Sequence, residues 1–207
     1  MINEMFDMLA MAFLIGLTGA LAPGPTLVAT VNSSLKTGWT AGPKIALGHA
    51  AVELLIFISI VMGLAAAAQQ HQQEYSHYIA IVGGLALIAF GLLTVKGSKN
   101  ASLVFAAENK TENPYLAGII TSAANPYFWV WWLSVGSALV IDGLRGGLIL
   151  AAIFMIGHWG ADFGWYMLVS ASLDRGKKIL SEANYQRILA VCGSFLIFFG
   201  LYYLTRA

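Results

Sequence analysis

Residues 48–53 read Gly48-His49-Ala50-Ala51-Val52-Glu53, and residues 157–162 read Gly157-His158-Trp159-Gly160-Ala161-Asp162. Both follow the pattern Gly-His-x-x-x-acid. Each sits inside a long apolar stretch, about 45–68 and about 148–171. About 20 apolar residues in a helix cross roughly 30 Å of hydrocarbon. Each motif therefore sets an imidazole and a carboxylate inside a membrane span, four residues apart and on one helix face. A charge there costs from about 2.5 to more than 10 kcal/mol. Counted by helical rise, Glu53 and Asp162 lie roughly 12–14 Å from the nearer end of their spans, close to the midplane.

Four further apolar segments flank these two, at about 8–31, 78–95, 116–141 and 188–205, for six predicted spans. Polar breaks separate them at Asn32 to Lys44, Gln69 to His77, Lys96 to Pro114, Asp142 to Gly147 and Ser172 to Arg187. The composition agrees. Of 207 residues, 58% are hydrophobic and 10% charged, and the mean hydropathy is +0.74. A soluble domain carries about a quarter charged residues. Soluble enzymes, nucleic-acid binders and disordered chains are excluded. The net charge of +1 implies no polyanionic partner, and the single Cys192 excludes an internal disulfide, a redox pair and a thiolate metal cage. The chain reads as an all-α integral membrane protein whose partners are the lipid bilayer and a small molecule, with homo-oligomerisation left open.

The first seven residues carry two acids and no Lys or Arg. That fits a retained first helix better than a signal peptide. Lys36, Lys44, Lys96, Lys99, Lys110, Arg175, Lys177, Lys178 and Arg187 fall in the odd-numbered breaks, whereas Arg145 and Arg206 fall on the other side. Nine against two places the odd-numbered breaks in the cytoplasm and both termini outside.

The two Gly-His motifs belong to a wider echo. Span 1 carries Pro23-Gly24-Pro25 and span 4 carries Asn125-Pro126. Residues 1–95 form a first three-span repeat and 115–207 a second, joined by a polar linker at 96–114 within one membrane domain. With three spans each, the halves must enter the bilayer from opposite sides, which makes an inverted repeat. Broken helices at matching places of such repeats mark a transporter's central site. Proline lacks an N–H and disturbs the preceding turn, while glycine permits unusual dihedrals. Helices 1 and 4 are thus expected to be interrupted, with a new half-helix beginning near Thr26 whose amides could receive a carboxylate.

The candidate site residues follow. Pro23, Gly24, Pro25, Thr26, Asn32, Asn125, Pro126 and Trp129 are candidates for substrate binding or gating. Glu53, Asp162, His49 and His158 are candidates for proton coupling. A structural alternative is a polar clamp between helices. The four also make a candidate metal set of two imidazoles and two carboxylates, though no resident metal or cofactor is expected. Phe128, Trp129, Trp131 and Trp132 either line a cavity, where they could hold an ammonium, or form packing and interfacial contacts. Trp159, Trp165 and Tyr166 are read the same way, and Gly157, Gly160 and Gly164 as a packing face. Leu103-Val104-Phe105 in the linker reads as a surface tether.

Leu21-Ala22-Pro23-Gly24-Pro25, followed by Asn32, Gly38 and Gly48-His49, resembles the start of the LysE/RhtB family of amino-acid exporters, the LysE-type translocators. Asn125-Pro126 with trailing aromatics is similar to that family's fourth-span motif. The resemblance covers essentially the whole chain. It implies a secondary transporter of the cytoplasmic membrane that exports amino acids or related small metabolites, coupled to proton entry, with no cofactor. The wider superfamily includes divalent-cation exporters. Two intramembrane acids are a thin set for that branch. A metal-dependent intramembrane enzyme would use the same His-acid pairs, but the chain lacks His-Glu-x-x-His and any nucleophile constellation. A non-enzyme is expected.

Overall fold

The computed structural model describes residues 2–22, 24–67, 72–100, 113–174 and 182–205. Every regular element among them is helical. Helix α1 spans Ile2–Ala20, α2 Pro25–Thr37, α3 Ala41–Ala67, α4 Gln72–Ser98, α5 Pro114–Ala123, α6 Pro126–Trp131, α7 Ser137–Arg145, α8 Leu148–Asp174 and α9 Glu182–Leu204. A 3₁₀ turn, Gly38–Thr40, joins α2 to α3, and a π turn, Trp132–Gly136, joins α6 to α7.

Among the described residues, four stretches are long and apolar enough to cross a bilayer: Ile2–Ala20, Pro25–Gly63, Tyr127–Arg145 and Leu148–Asp174. Shorter apolar stretches, Leu87–Ser98 and Gln186–Tyr202, lie in α4 and α9. The chain is a multi-pass, all-helical membrane protein.

Its breaks sit where the backbone demands them. α1 stops at Ala20 and α2 starts at Pro25, whose missing N–H costs nothing at a first helical position. α5 and α6 share one starting device. Asn113 accepts from the Tyr115 amide and Asn125 from the Tyr127 amide, each at 3.0 Å, with proline next in both. Such a cap contributes about 1 kcal/mol. Only the second of these two Asn-Pro-Tyr caps is anticipated by the sequence reading.

Several expectations need correction: α4 already starts at Gln72, inside the break expected from Gln69 to His77, and α7 continues to Arg145 through most of the break expected from Asp142 to Gly147. The break expected from Asn32 to Lys44 is largely helical: α2 runs to Thr37 and α3 starts at Ala41. The Ser and Thr hydroxyls there return their hydrogen to the helix itself, Ser34 to Thr30 O at 2.6 Å and Thr37 to Ser33 O at 3.0 Å, which makes polar residues acceptable in the turn. Gly38, at φ 72°, marks the joint between the two helices instead. Span 4 also carries an unanticipated π turn. Pro23 and linker residues 101–112, including the Leu103-Val104-Phe105 tether, lie outside the described residues, as do Arg175, Lys177, Lys178 and Arg206.

The helices pair closely as α4 with α9, α1 with α8 and α3 with α5. Missing side chains allow this. A Cβ on Gly91 would meet Gly193 O at 2.6 Å, and one on Gly193 would meet Gly91 O at 2.8 Å. A Cβ on Gly157 would meet Leu9 O at 2.6 Å, and one on Gly48 would collide with Tyr115 O. The glycine of each Gly-His motif is thus the point where its helix touches the backbone of a neighbouring helix. An apolar core of Met8, Ile15, Leu87, Phe90, Trp131, Trp132, Val135, Leu139 and Phe154 packs inside the bundle.

Candidate functional site

His49 and Glu53 project from α3, and His158 and Asp162 from α8, into one buried cluster. Glu53 and Asp162 are each 1% exposed, His158 3% and His49 8%. Within α3, His49 Nε2 lies 3.1 Å from Glu53 Oε1. The second pair does not close on itself in the same way. His158 Nε2 is 2.9 Å from Glu53 Oε1 but 3.5 Å from Asp162 Oδ2, and His49 Nε2 is 3.8 Å from Asp162 Oδ1. The sequence reads as two separate His-acid pairs; the packing of α3 on α8 merges them into a single quartet. Ligand atoms of His49, Glu53 and Asp162 all lie within 4.8 Å of one another.

The wall of the quartet is aromatic. Trp132 donates through Nε1 to Glu53 Oε1 at 3.2 Å. Trp131 lies nearly parallel to the His158 ring, centroids 4.8 Å apart, and Phe154 is parallel at 5.8 Å. Phe128 and Tyr166 meet the His49 ring edge-on at 5.3 and 5.9 Å. Adjacent residues of a regular α-helix diverge by about 100°. Trp131 and Trp132 nevertheless both contact the quartet; Trp131 ends α6 and Trp132 opens the π turn, and such local widenings concentrate at functional sites. Polar capacity is left over. Glu53 Oε2, Asp162 Oδ2 and His158 Nδ1 are buried with no hydrogen-bond partner among the described residues.

A partly enclosed cavity of about 330 Å³ opens beside the quartet. His49, Glu53, His158 and Asp162 line it together with Gly24, Pro25, Thr26, Asn125, Phe128, Trp131, Trp132 and Tyr166. It runs toward Thr94 and Gly97 near the end of α4 and Leu189 near the start of α9. The two helix breaks meet at its wall, since a Cβ on Gly24 would stand 3.3 Å from Asn125 Nδ2. The first bond of the α2 ladder is Val28 N to Gly24 O. The Thr26 and Leu27 amides precede that ladder at the cavity wall.

Other candidates lie elsewhere. Pro126 is the first residue of α6. Trp129 is 39% exposed, donates to Ala123 O at 2.7 Å and is not among the lining residues. Asn32 is half-buried in α2, away from the cavity lining. Trp159 and Trp165 pack within the two apolar cores. Gly157 touches α1, whereas Gly164 has no neighbour within 4 Å of a built Cβ. Two participants escape sequence reasoning: Trp132 as a hydrogen-bond donor, and Ser122, whose Oγ lies 2.6 Å from His49 Nδ1. A serine in an apolar span carries no mark that separates it from a packing residue.

The sequence profile of the LysE type translocators matches residues 17–207. The chain belongs to that family. Members are transporters rather than enzymes. The chain is also similar to a protein of Methanocaldococcus jannaschii that carries the provisional name of a nickel/cobalt efflux system. The two are 28% identical over 204 residues, covering 92% of this chain and 89% of the relative. No solved structure matches.

Proposed function

We propose that this translocator exports a divalent transition-metal cation, of the nickel and cobalt class, through the buried His-acid quartet. One observation carries the reading: two buried carboxylates and an imidazole nitrogen converge within 4.8 Å, with no Lys or Arg among the cavity-lining residues to balance them. Buried charges are kept only when paired or when they coordinate metal. Imidazole with carboxylate suits Ni²⁺, Co²⁺ or Zn²⁺; oxygen-only sets suit Mg²⁺ and Ca²⁺, and thiolates suit Cu⁺. The name of the M. jannaschii relative supports the same class. Two acids on separate helices are a thin set for a cation carrier; brought together with His49 they make a set of three ligands.

The coupling follows from the same chemistry. Without cargo, the quartet balances its charge with protons, and a bound cation displaces them. Proton entry would then drive export. The two three-helix halves are proposed to be inverted repeats that rock about the site. The pairings support this, because exchanging the halves converts the α1–α8 contact into the α5–α3 contact and returns α4–α9 to itself. The cytoplasmic membrane as location rests on the family, and both termini outside on the distribution of Lys and Arg.

A second reading, export of an amino acid, has its own observation. The cavity of about 330 Å³ is far larger than a bare ion. It joins the acids to the opening turn of α2, an arrangement able to hold an ammonium at one end and a carboxylate at the other. Proteoliposomes loaded in parallel with Ni²⁺, Co²⁺ and labelled amino acids, under an imposed pH gradient, separate the two. Proton-driven cation efflux supports the first reading. Amino-acid efflux with no cation movement rejects it.

A further inference from the structure

We infer that Ser122, at the end of the half-helix α5, is a positioning residue that fixes His49 in the tautomer whose Nε2 lone pair faces the cargo. The inference rests on the cation reading for its consequence, though not for its geometry.

The argument is a count of hydrogens. Ser122 is fully buried, and its Oγ has two close partners, Gly118 O at 2.6 Å and His49 Nδ1 at 2.6 Å. A hydroxyl has one hydrogen, and a carbonyl oxygen can only accept. The Ser122 hydrogen therefore goes to Gly118 O. Ser122 Oγ must then accept, so His49 Nδ1 carries a proton and donates it. In a neutral ring that leaves Nε2 bare. It points at Glu53 Oε1, 3.1 Å away, and Asp162 Oδ1, 3.8 Å away. A lone pair aimed at two carboxyl groups is repelled unless a proton or a cation stands between them. Metal-bound histidines are held in just this way, with the far ring N–H donated to an oxygen.

His158 is arranged in the opposite sense. Its Nδ1 has no hydrogen-bond partner among the described residues and faces the bare backbone of Gly16, where a built Cβ would stand 2.8 Å away. Its Nε2 lies 2.9 Å from Glu53 Oε1, so the neutral ring carries its proton on Nε2 and donates to the carboxylate. Gly16 and Ser122 occupy matching places. Each lies seven residues beyond the backbone oxygen, Leu9 O or Tyr115 O, that abuts the glycine preceding its histidine. One half supplies a hydroxyl there and the other supplies nothing. The two histidines consequently divide the work: His49 offers a ligand nitrogen, and His158 holds Glu53 in place. Because Ser122 lies two residues before the Ala124–Asn125 break, the ligand state of His49 is tied to the seating of the α5 half-helix.

The test compares wild type, Ser122→Ala and Ser122→Thr, reading imidazole ¹⁵N shifts in histidine-labelled protein and Co²⁺ binding to purified protein. The His49 signal is assigned by its loss in His49→Gln. In wild type, His49 should show a protonated Nδ1. Ser122→Ala should abolish that preference and weaken Co²⁺ binding by roughly 10–100-fold, the usual loss when such a partner is removed. Ser122→Thr, which keeps the hydroxyl, should restore both. An unchanged His49 tautomer in Ser122→Ala overturns the inference. A changed tautomer with no Co²⁺ binding even in wild type upholds the positioning of His49 and instead rejects the cation reading.

Discussion

His158 Nε2 and Glu53 Oε1 stand 2.9 Å apart, and this contact joins α8 to α3 at the centre of the bundle. The same Glu53 oxygen receives the Trp132 indole N–H and lies 3.1 Å from His49 Nε2. One carboxylate oxygen is therefore the common partner of three side chains from three helices.

Glu53→Gln removes the charge while keeping the shape. Hydrogen bonds to a charged group are worth about 1.5–3 kcal/mol, so cargo affinity should fall roughly 10–100-fold or more, with the protein still folded and inserted. Efflux from proteoliposomes against cargo concentration measures it. Wild-type affinity in this variant would remove Glu53 from the site.

Asp162 predicts an opposite split between stability and function. Its Oδ2 is buried without a hydrogen bond among the described residues, and its nearest histidine nitrogen is 3.5 Å away. An unpartnered buried polar group costs about 1–3 kcal/mol, more if charged. Asp162→Asn should therefore raise the Tm of the cargo-free protein while abolishing transport. A lowered Tm would mark Asp162 as a structural clamp, and retained transport would end its role in coupling.

Gly48 and Gly118 mark the tightest seam between α3 and α5. A Cβ on Gly48 would strike Tyr115 O, and one on Gly118 would strike Ile45 O. Neither target is a movable side-chain tip, so Gly48→Ala and Gly118→Ala should each destabilise by roughly 1–3 kcal/mol. Gly63→Ala, with nothing within 4 Å, should be neutral or gain up to about 1 kcal/mol. Thermal unfolding in one detergent compares all three.

Asn125 caps α6 through its side-chain oxygen. Asn125→Ala should cost about 0.5–2 kcal/mol of stability, whereas Asn125→Asp keeps an acceptor and should lose little. Equal losses in the two variants would mean that the cap is not what Asn125 contributes.

Orientation is checked by labelling single cysteines in a Cys192→Ala background. An impermeant maleimide should reach Arg145→Cys in intact cells and Lys99→Cys only in inverted vesicles. The reverse pattern would invert the topology.

The sequence disclosed the carboxylates because an acid in an apolar span is too costly to be incidental, and it disclosed the breaks because proline and glycine leave a local backbone signature. It did not disclose that His158 would favour Glu53 over its own Asp162. That choice depends on how α8 packs on α3, which no single segment encodes. The π turn at Trp132 was hidden for a related reason: an i to i+5 bond requires no particular residue. The α2 extension to Thr37 was missed because Ser33, Ser34 and Thr37 look polar, yet a hydroxyl can return its hydrogen to its own helix and pass unnoticed in hydrocarbon.

The apolar core beside the quartet bears on the cell's energy supply. Ile15, Val135, Leu139 and Phe154 are at most 1% exposed, and none of them lines the cavity, which runs from the acids toward Gly97 and Leu189. A through-going water file would let protons short-circuit the gradient on which the proposed export would draw. With this apolar layer packed against the quartet, as Phe154 is on the His158 ring, a proton arriving at Glu53 or Asp162 would travel onward only if the helices themselves shift. The layer would thus act as insulation, converting what would be a leak into a stroke.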